Sequence, residues 1–286
     1  MAAYTLAYAN CNIDDDVRFR AWVDFISDNL TTMGWAKTAD TGQIDTTTVA
    51  KPTAGSTAMG YEIRLSNDAF DNVYIKLEYG SGFNAYSKGL WVTLGTGSDG
   101  AGAITGEFFA RYHFTSITGN GGGTKPGDDF LSGDAGNIRL FCTDDANALY
   151  SLGLSITRSH NHAGTDDDET LWVMFWGYST TTRRWCLGPK GGISTTLGLA
   201  GISSIRFSDA VGSGGSNPVY PVQEVNPGVG YVTSKHFKTG WDSLFTHQAS
   251  YTIDSVVYRA VAGNTTSANM WSTTAPAAMC LLMRYE

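Results

Sequence analysis

The sequence predicts a mainly β protein: an antiparallel, sandwich-like core with one N-terminal amphipathic helix packed on a sheet. Three observations carry that expectation. Glycine supplies 34 of 286 residues and aspartate outnumbers glutamate 21 to 6, so turn formers abound while good helix formers are scarce. Apolar residues at helical spacing occur once, near the N-terminus. Elsewhere apolar and polar residues alternate, the period of a half-buried strand.

The helix is read from Asp14, Asp15 and Asp16, which offer a cap and dipole-favourable charge. Phe19, Trp22, Val23, Ile26, Leu30 and Met33 then recur at steps of three and four, and Gly34 stops the run. Tyr61 to Leu65 and Val73 to Tyr79 follow as strands around a turn rich in Asn and Asp. In the second, Val73, Ile75, Leu77 and Tyr79 form the buried face and Tyr74, Lys76 and Glu78 the other. Leu90 to Leu94 reads as a buried strand, joined through a glycine loop to an extended stretch from Ile104 to Ile117.

Further strands are expected at Ile138 to Cys142, Tyr150 to Thr157, Leu171 to Tyr178 and Arg183 to Leu187, the last two paired across Thr180, Thr181 and Thr182. Trp172, Met174 and Trp176 alternate with Val173 and Phe175, so that strand is expected to be buried on both sides. Gly119 to Asp129 and Gly133 to Gly136 read as long loops of the kind that contact partners. Beyond Gly188 the composition shifts to Gly, Ser, Pro and Val, with Pro218, Pro221 and Pro227 close together. This places a boundary near 190. Residues 1–190 form the helix-plus-sheet domain; residues 191–286, a Gly/Pro-rich segment with closing strands, stand apart or belong to the same domain. The closing strands are Tyr251 to Val261 and Met279 to Tyr285.

Charge and composition narrow the function. The net charge is −8 and charged residues make up 16% of the chain, against roughly 25% in an average domain. Nucleic-acid binding, which needs clustered Lys and Arg, is disfavoured. Leu171 to Trp176 is an apolar run of six residues and no run exceeds seven, far below the roughly 20 of a spanning helix. Met1 to Asn10 has no basic start or apolar stretch, so the expectation is folding in a cytoplasm without membrane insertion. Cys11, Cys142, Cys186 and Cys280 lack CxxC spacing and read as small buried apolar residues.

No enzyme signature emerges. Ser159-His160-Asn161-His162 and Asp166-Asp167-Asp168-Glu169 are the strongest metal candidates. Histidines two apart on an extended chain share one face, yet no third and fourth ligand stands at an informative spacing, and the acids lack the alternating, glycine-centred spacing of a calcium loop. A solvated loop is the simpler reading, with no metal or cofactor. No GxSxG stands between a strand and a helix, and the strings Gly95-Thr96-Gly97 and Gly119 to Gly123 lack the lysine and helix of a phosphate loop. A glycosidase carboxylate pair leaves no sequence mark. Of the aromatics, Trp22, Trp91, Trp172 and Trp176 fall on element faces and read as core. Tyr231, Trp241 and Trp271 lie in polar, glycine-containing surroundings, where they contact a glycan or a protein partner or else pack beneath loops.

Several segments together resemble virion structural proteins of tailed bacteriophages. They are Met33-Gly34-Trp35-Ala36-Lys37-Thr38-Ala39-Asp40-Thr41-Gly42-Gln43-Ile44, then Gly60-Tyr61-Glu62-Ile63, Val73 to Gly82 and Leu90 to Gly100. Tyr251-Thr252-Ile253-Asp254, Val257-Tyr258-Arg259-Ala260 and Leu281 to Tyr285 are similar to closing strands of the same proteins. Roughly a third of the chain is covered, mostly before residue 105. The resemblance implies a non-enzymatic particle component of the tail or baseplate, a homo-oligomer contacting other virion proteins after assembly in the host cytoplasm. A capsid decoration protein, or a carbohydrate- or receptor-binding module using exposed aromatics, is the alternative.

Overall fold

The computed structural model describes residues 5–66, 72–82, 84–115, 127–143, 151–160, 163, 166–177, 183–186, 194–197, 205–207, 219–226, 230–241, 249–262 and 279–284. In chain order the first elements are β1 (Thr5–Cys11), α1 (Asp16–Thr32), β2 (Trp35–Lys37), β3 (Ala58–Ser66), β4 (Tyr74–Ser81), β5 (Lys88–Gly95), β6 (Gly97–Ser98), β7 (Ile104–Thr105) and β8 (Phe109–Thr115). There follow β9 (Gly127–Asp134), β10 (Asn137–Thr143), β11 (Ser151–His160), β12 (Asp166–Gly177), β13 (Arg183–Cys186) and β14 (Ser194–Leu197). The last are β15 (Ile205–Phe207), β16 (Val219–Asn226), β17 (Gly230–Trp241), β18 (Ser250–Ile253), β19 (Val256–Ala262) and β20 (Met279–Arg284). The protein is mainly β, its described ladders are antiparallel, and one helix packs on a sheet.

The helix forms where its spacing predicts. The Asp15 side chain accepts from the Arg18 N–H at 2.8 Å, capping the first turn. Met33 and Gly34 N–H groups close the last turn, and Gly34 leaves it at φ +99°, which a side chain would resist. Phe19, Trp22, Val23, Ile26 and Leu30 make the buried face. They share one apolar core with two five-stranded sheets, β2-β3-β4-β5-β8 and β1-β9-β10-β11-β12. Ile75, Leu77, Tyr79, Leu90, Val92 and Leu94 line it from the first sheet, and Leu131, Leu140, Leu154 and Ile156 from the second. This shared core is what the structure establishes of the sandwich-like arrangement expected from the sequence.

The third sheet, β15-β16-β17-β20-β19-β18, has a small core of its own around Tyr258, Ala260 and Leu282. Ser132 Oγ of β9 donates to the Arg284 carbonyl at 3.1 Å. Pro221, which cannot donate to a ladder, sits beside an irregularity where two residue steps of β16 face five of β17.

Several local expectations are corrected. The extended stretch from Ile104 breaks at Gly106, which has φ +57°, into β7 and β8. The Tyr251 to Val261 stretch is a hairpin: Asp254 and Ser255 both take positive φ, the conformation of a tight two-residue turn. β12 pairs with β11 and β13 with β14, so the expected β12–β13 hairpin is not the ladder that forms. Ten-residue β11 offers β12 a partner of nearly its own length, while four-residue β13 meets an equally short β14. The acids Asp166 to Glu169 belong to β12 rather than to a loop.

The largest correction concerns the Gly/Asp-rich loops, because Gly127–Asp134 is a strand paired on both sides, with β1 and β10. Its composition suits contacts invisible in the sequence. A Cβ on Gly133 would run into the Asn137 carbonyl, and Asp129 has a buried cationic partner described below. The strands β1, β2, β6 and β14 to β17 also escape sequence reading.

Candidate functional site

Antiparallel register places directly opposed residues on one face of a sheet. Across β3, β4, β5 and β8, Tyr61 faces Glu78, Glu78 faces Trp91, and Trp91 faces His113. Leu77, Val92 and Leu94 occupy the opposite face, in the core. The row is therefore the outer face of the sheet. Trp91 and His113 stack with centroids 3.8 Å apart and planes within 4°. Arg111 lies over Trp91 at 5.1 Å and grips Glu78 through two hydrogen bonds of 2.6 and 3.1 Å. Lys76 lies over the Tyr61 ring at 4.2 Å and donates to the Gly102 carbonyl.

The result is a continuous polar-aromatic stripe whose parts hold one another, with Arg111 exposed at its rim. Burial, followed by the nearby Arg111 charge, pushes His113 down to about 4, although its hydrogen bond with the Ser81 backbone opposes this. The ring is thus neutral at physiological pH. Trp91 is buried against Arg111 and His113, so the solvent side of the stripe is exposed Arg111 with half-buried Tyr61, Lys76, Glu78 and His113, a surface that suits protein contact through directional hydrogen bonds.

Next to the stripe, the 38–43 segment is bound to the β6–β7 hairpin through Asp40. Burial opposes the charged form, but hydrogen bonds from Thr38, Ser98 and Gly102 outweigh it and hold the carboxyl below its ordinary range. Tyr61 Oη donates to the Thr41 carbonyl at 2.6 Å from the same side.

Two ion pairs lie in the core on the other face. Arg64 donates to Glu62 at 2.9 Å, to Thr31 and Ser27 of the helix, and to the Trp35 carbonyl. Tyr79 donates to the remaining Glu62 oxygen; burial, then the Glu62 charge, raises its phenol well above the usual range. Lys88 of β5 meets Asp129 of β9, and so joins the two sheets. With both partners of each pair at most 1% exposed, these groups hold elements together rather than meet a substrate.

The residues singled out in the sequence are placed as follows. Tyr231 and Trp241 stand near opposite ends of β17, opposite Val225 of β16 and Met279 of β20. Ten residue steps of extended chain, at about 3.3 Å each, separate them, so contact with both calls for an extended partner. Trp271 lies outside the described residues, as do His162 and the side chains of Trp172, Trp176, Cys11, Cys186 and Cys280. Trp22 and Trp91 are buried, and Cys142 is a buried free thiol. His160 faces Asp166 across the end of the β11–β12 ladder, after a register irregularity. Among the described residues no three His, Cys, Asp or Glu side chains are grouped as a metal ion would need.

Sequence reading missed the outer stripe. Its one advance signal was the polar face of Tyr74, Lys76 and Glu78; the rest depends on register between strands up to 52 residues apart in sequence, as Tyr61 and His113 are. No model of a known protein family matches the chain, and no curated protein matches it.

Proposed function

We propose that the protein is a structural component of a tailed-phage particle, associated with the tail or baseplate, and that it works without catalysis through repeated contacts with copies of itself and other virion proteins. The observation that carries this reading is where the resembling segments fall. Met33 to Ile44, Gly60 to Ile63, Val73 to Gly82 and Leu90 to Gly100 take in β2, β4 and β6 and parts of β3 and β5, and the C-terminal segments take in parts of β18, β19 and β20. The likeness therefore falls mainly on strands that pair with one another.

The architecture also suits the role. Ion pairs, aromatic packing and a capped helix fix the core, and the outer face presents a preformed stripe with little left to order on binding. Repetition in a ring or trimer then raises the effective concentration of each weak contact. Deleting the gene and examining particles by electron microscopy, with mass spectrometry of purified virions for copy number, tests the reading. The expected result is incomplete particles and a fixed multiple of copies per virion. Normal infectious particles would overturn it; intact particles that fail to adsorb would move the assignment to a receptor-binding module.

A further inference from the structure

Lys88 and Asp129 are 41 residues apart in sequence and meet inside the core shared by the two five-stranded sheets. Lys88 Nζ lies 2.8 Å from each carboxylate oxygen of Asp129. Equal distances to both oxygens at that range hold Nζ within about 3.2 Å of the Asp129 carboxyl carbon, so a turn of the carboxyl group that brings its face to the nitrogen is the only movement attack requires. Cys142, the ladder partner of Asp129 on β10, hydrogen-bonds the same carboxylate. Burial, then the Asp129 charge, keeps its thiol protonated.

We propose that these side chains condense into an isopeptide bond between Lys88 Nζ and the Asp129 carboxyl carbon, a covalent link between β5 and β9. A proton passes from the ammonium to the carboxylate, removing two charges from a site where both are costly. The amine lone pair attacks the carboxyl carbon, the bond from that carbon to the hydroxyl breaks, and a second Nζ proton leaves with the hydroxyl as water. Atoms and electrons balance with no oxidant, metal or co-reactant. The Cys142 S–H bonds to a carboxyl oxygen and supports the negative charge that builds there during attack. Exclusion of bulk water favours condensation over hydrolysis. The other buried pair, Glu62–Arg64, cannot follow this route, because a guanidinium keeps its proton and offers no free amine.

The inference stands on the geometry of this pair and is independent of the phage reading. Its test is the intact mass of the purified full chain and of its Lys88→Arg variant, which keeps the positive charge. The wild-type mass should fall below the sequence mass by about 18 Da, one water, and digestion should release a branched peptide containing Lys88 and Asp129. The variant should show its full sequence mass. A wild-type chain at its full sequence mass overturns the proposal and leaves an ion pair. A water loss that persists in the variant overturns it too, pointing instead to ring closure at Asp99-Gly100. If the variant fails to fold, the wild-type mass and the branched peptide still decide.

Discussion

The two buried ion pairs solve the same electrostatic problem in opposite ways. Glu62 and Arg64 are two residues apart on one strand, on one face, and their hydrogen bonds spread over several neighbours: helix hydroxyls, a β2 carbonyl and the Tyr79 phenol. Lys88 and Asp129 come from different sheets and meet end to end. The planar guanidinium distributes its charge over a network and aligns α1 on the sheet, whereas the compact ammonium concentrates its charge on one carboxylate. The first pair is a local brace and the second a long-range tie. Either one, once broken, strands a charge in the core, which costs more than the intact pair contributes.

The largest effect is expected from removing the surface that both pairs rest on. Trp22 packs edge-on against Tyr79 at 5.9 Å, and Trp22→Asp should cost more than about 4 kcal/mol, unfolding much of the population in a denaturant titration. Arg64→Ala should cost about 3–5 kcal/mol by stranding Glu62, and Asp129→Ala at least as much, because it strands Lys88 and also removes the link. The two pairs separate when both partners become apolar. Replacing Glu62 and Arg64 together by Met should recover much of the single-mutant loss, whereas Lys88→Met with Asp129→Leu should stay about 4 kcal/mol below wild type, the worth of a covalently closed loop of this length. Recovery in the second double variant would return Lys88–Asp129 to an ordinary ion pair.

Tyr79→Phe leaves one Glu62 oxygen without its donor and should cost about 1–3 kcal/mol, measured as a shift in denaturant midpoint at constant slope. The outer stripe adds a pH dependence. His113 binds its proton near pH 4 when folded and near 6.5 when unfolded, so the unfolded chain takes up more protons between those values. Stability should be fully present above pH 6.5, fall as pH drops toward 4 and level off below, by at most about 2 kcal/mol after allowance for solvent screening. His113→Phe should flatten that segment of the curve. The smallest effect is expected on the solvent side of α1, where Asp24→Ala should change stability by less than about 0.5 kcal/mol.

What was legible in the sequence was periodic. Phe19, Trp22, Val23, Ile26 and Leu30 repeat with the helical turn and are the buried face of α1. Val73, Ile75, Leu77 and Tyr79 repeat with the pleat and are the buried face around β4. These patterns are local, because side-chain direction follows from backbone geometry a few residues at a time. The mainly β class followed from the same local preferences.

Only the tertiary structure decided the rest. Gly127–Asp134 carries the composition of a loop, yet forms a strand because Asn137 fills the space a side chain on Gly133 would need and Lys88 receives Asp129. Glu62 and Lys88 carry the polarity of surface residues, yet lie in the core because partners from α1, β4 and β9 meet them there. A charge can be buried only where a distant part of the chain supplies its complement, and no local pattern records which part that is. The stripe of Tyr61, Glu78, Trp91 and His113 has the same origin: strand register aligned four residues from four strands.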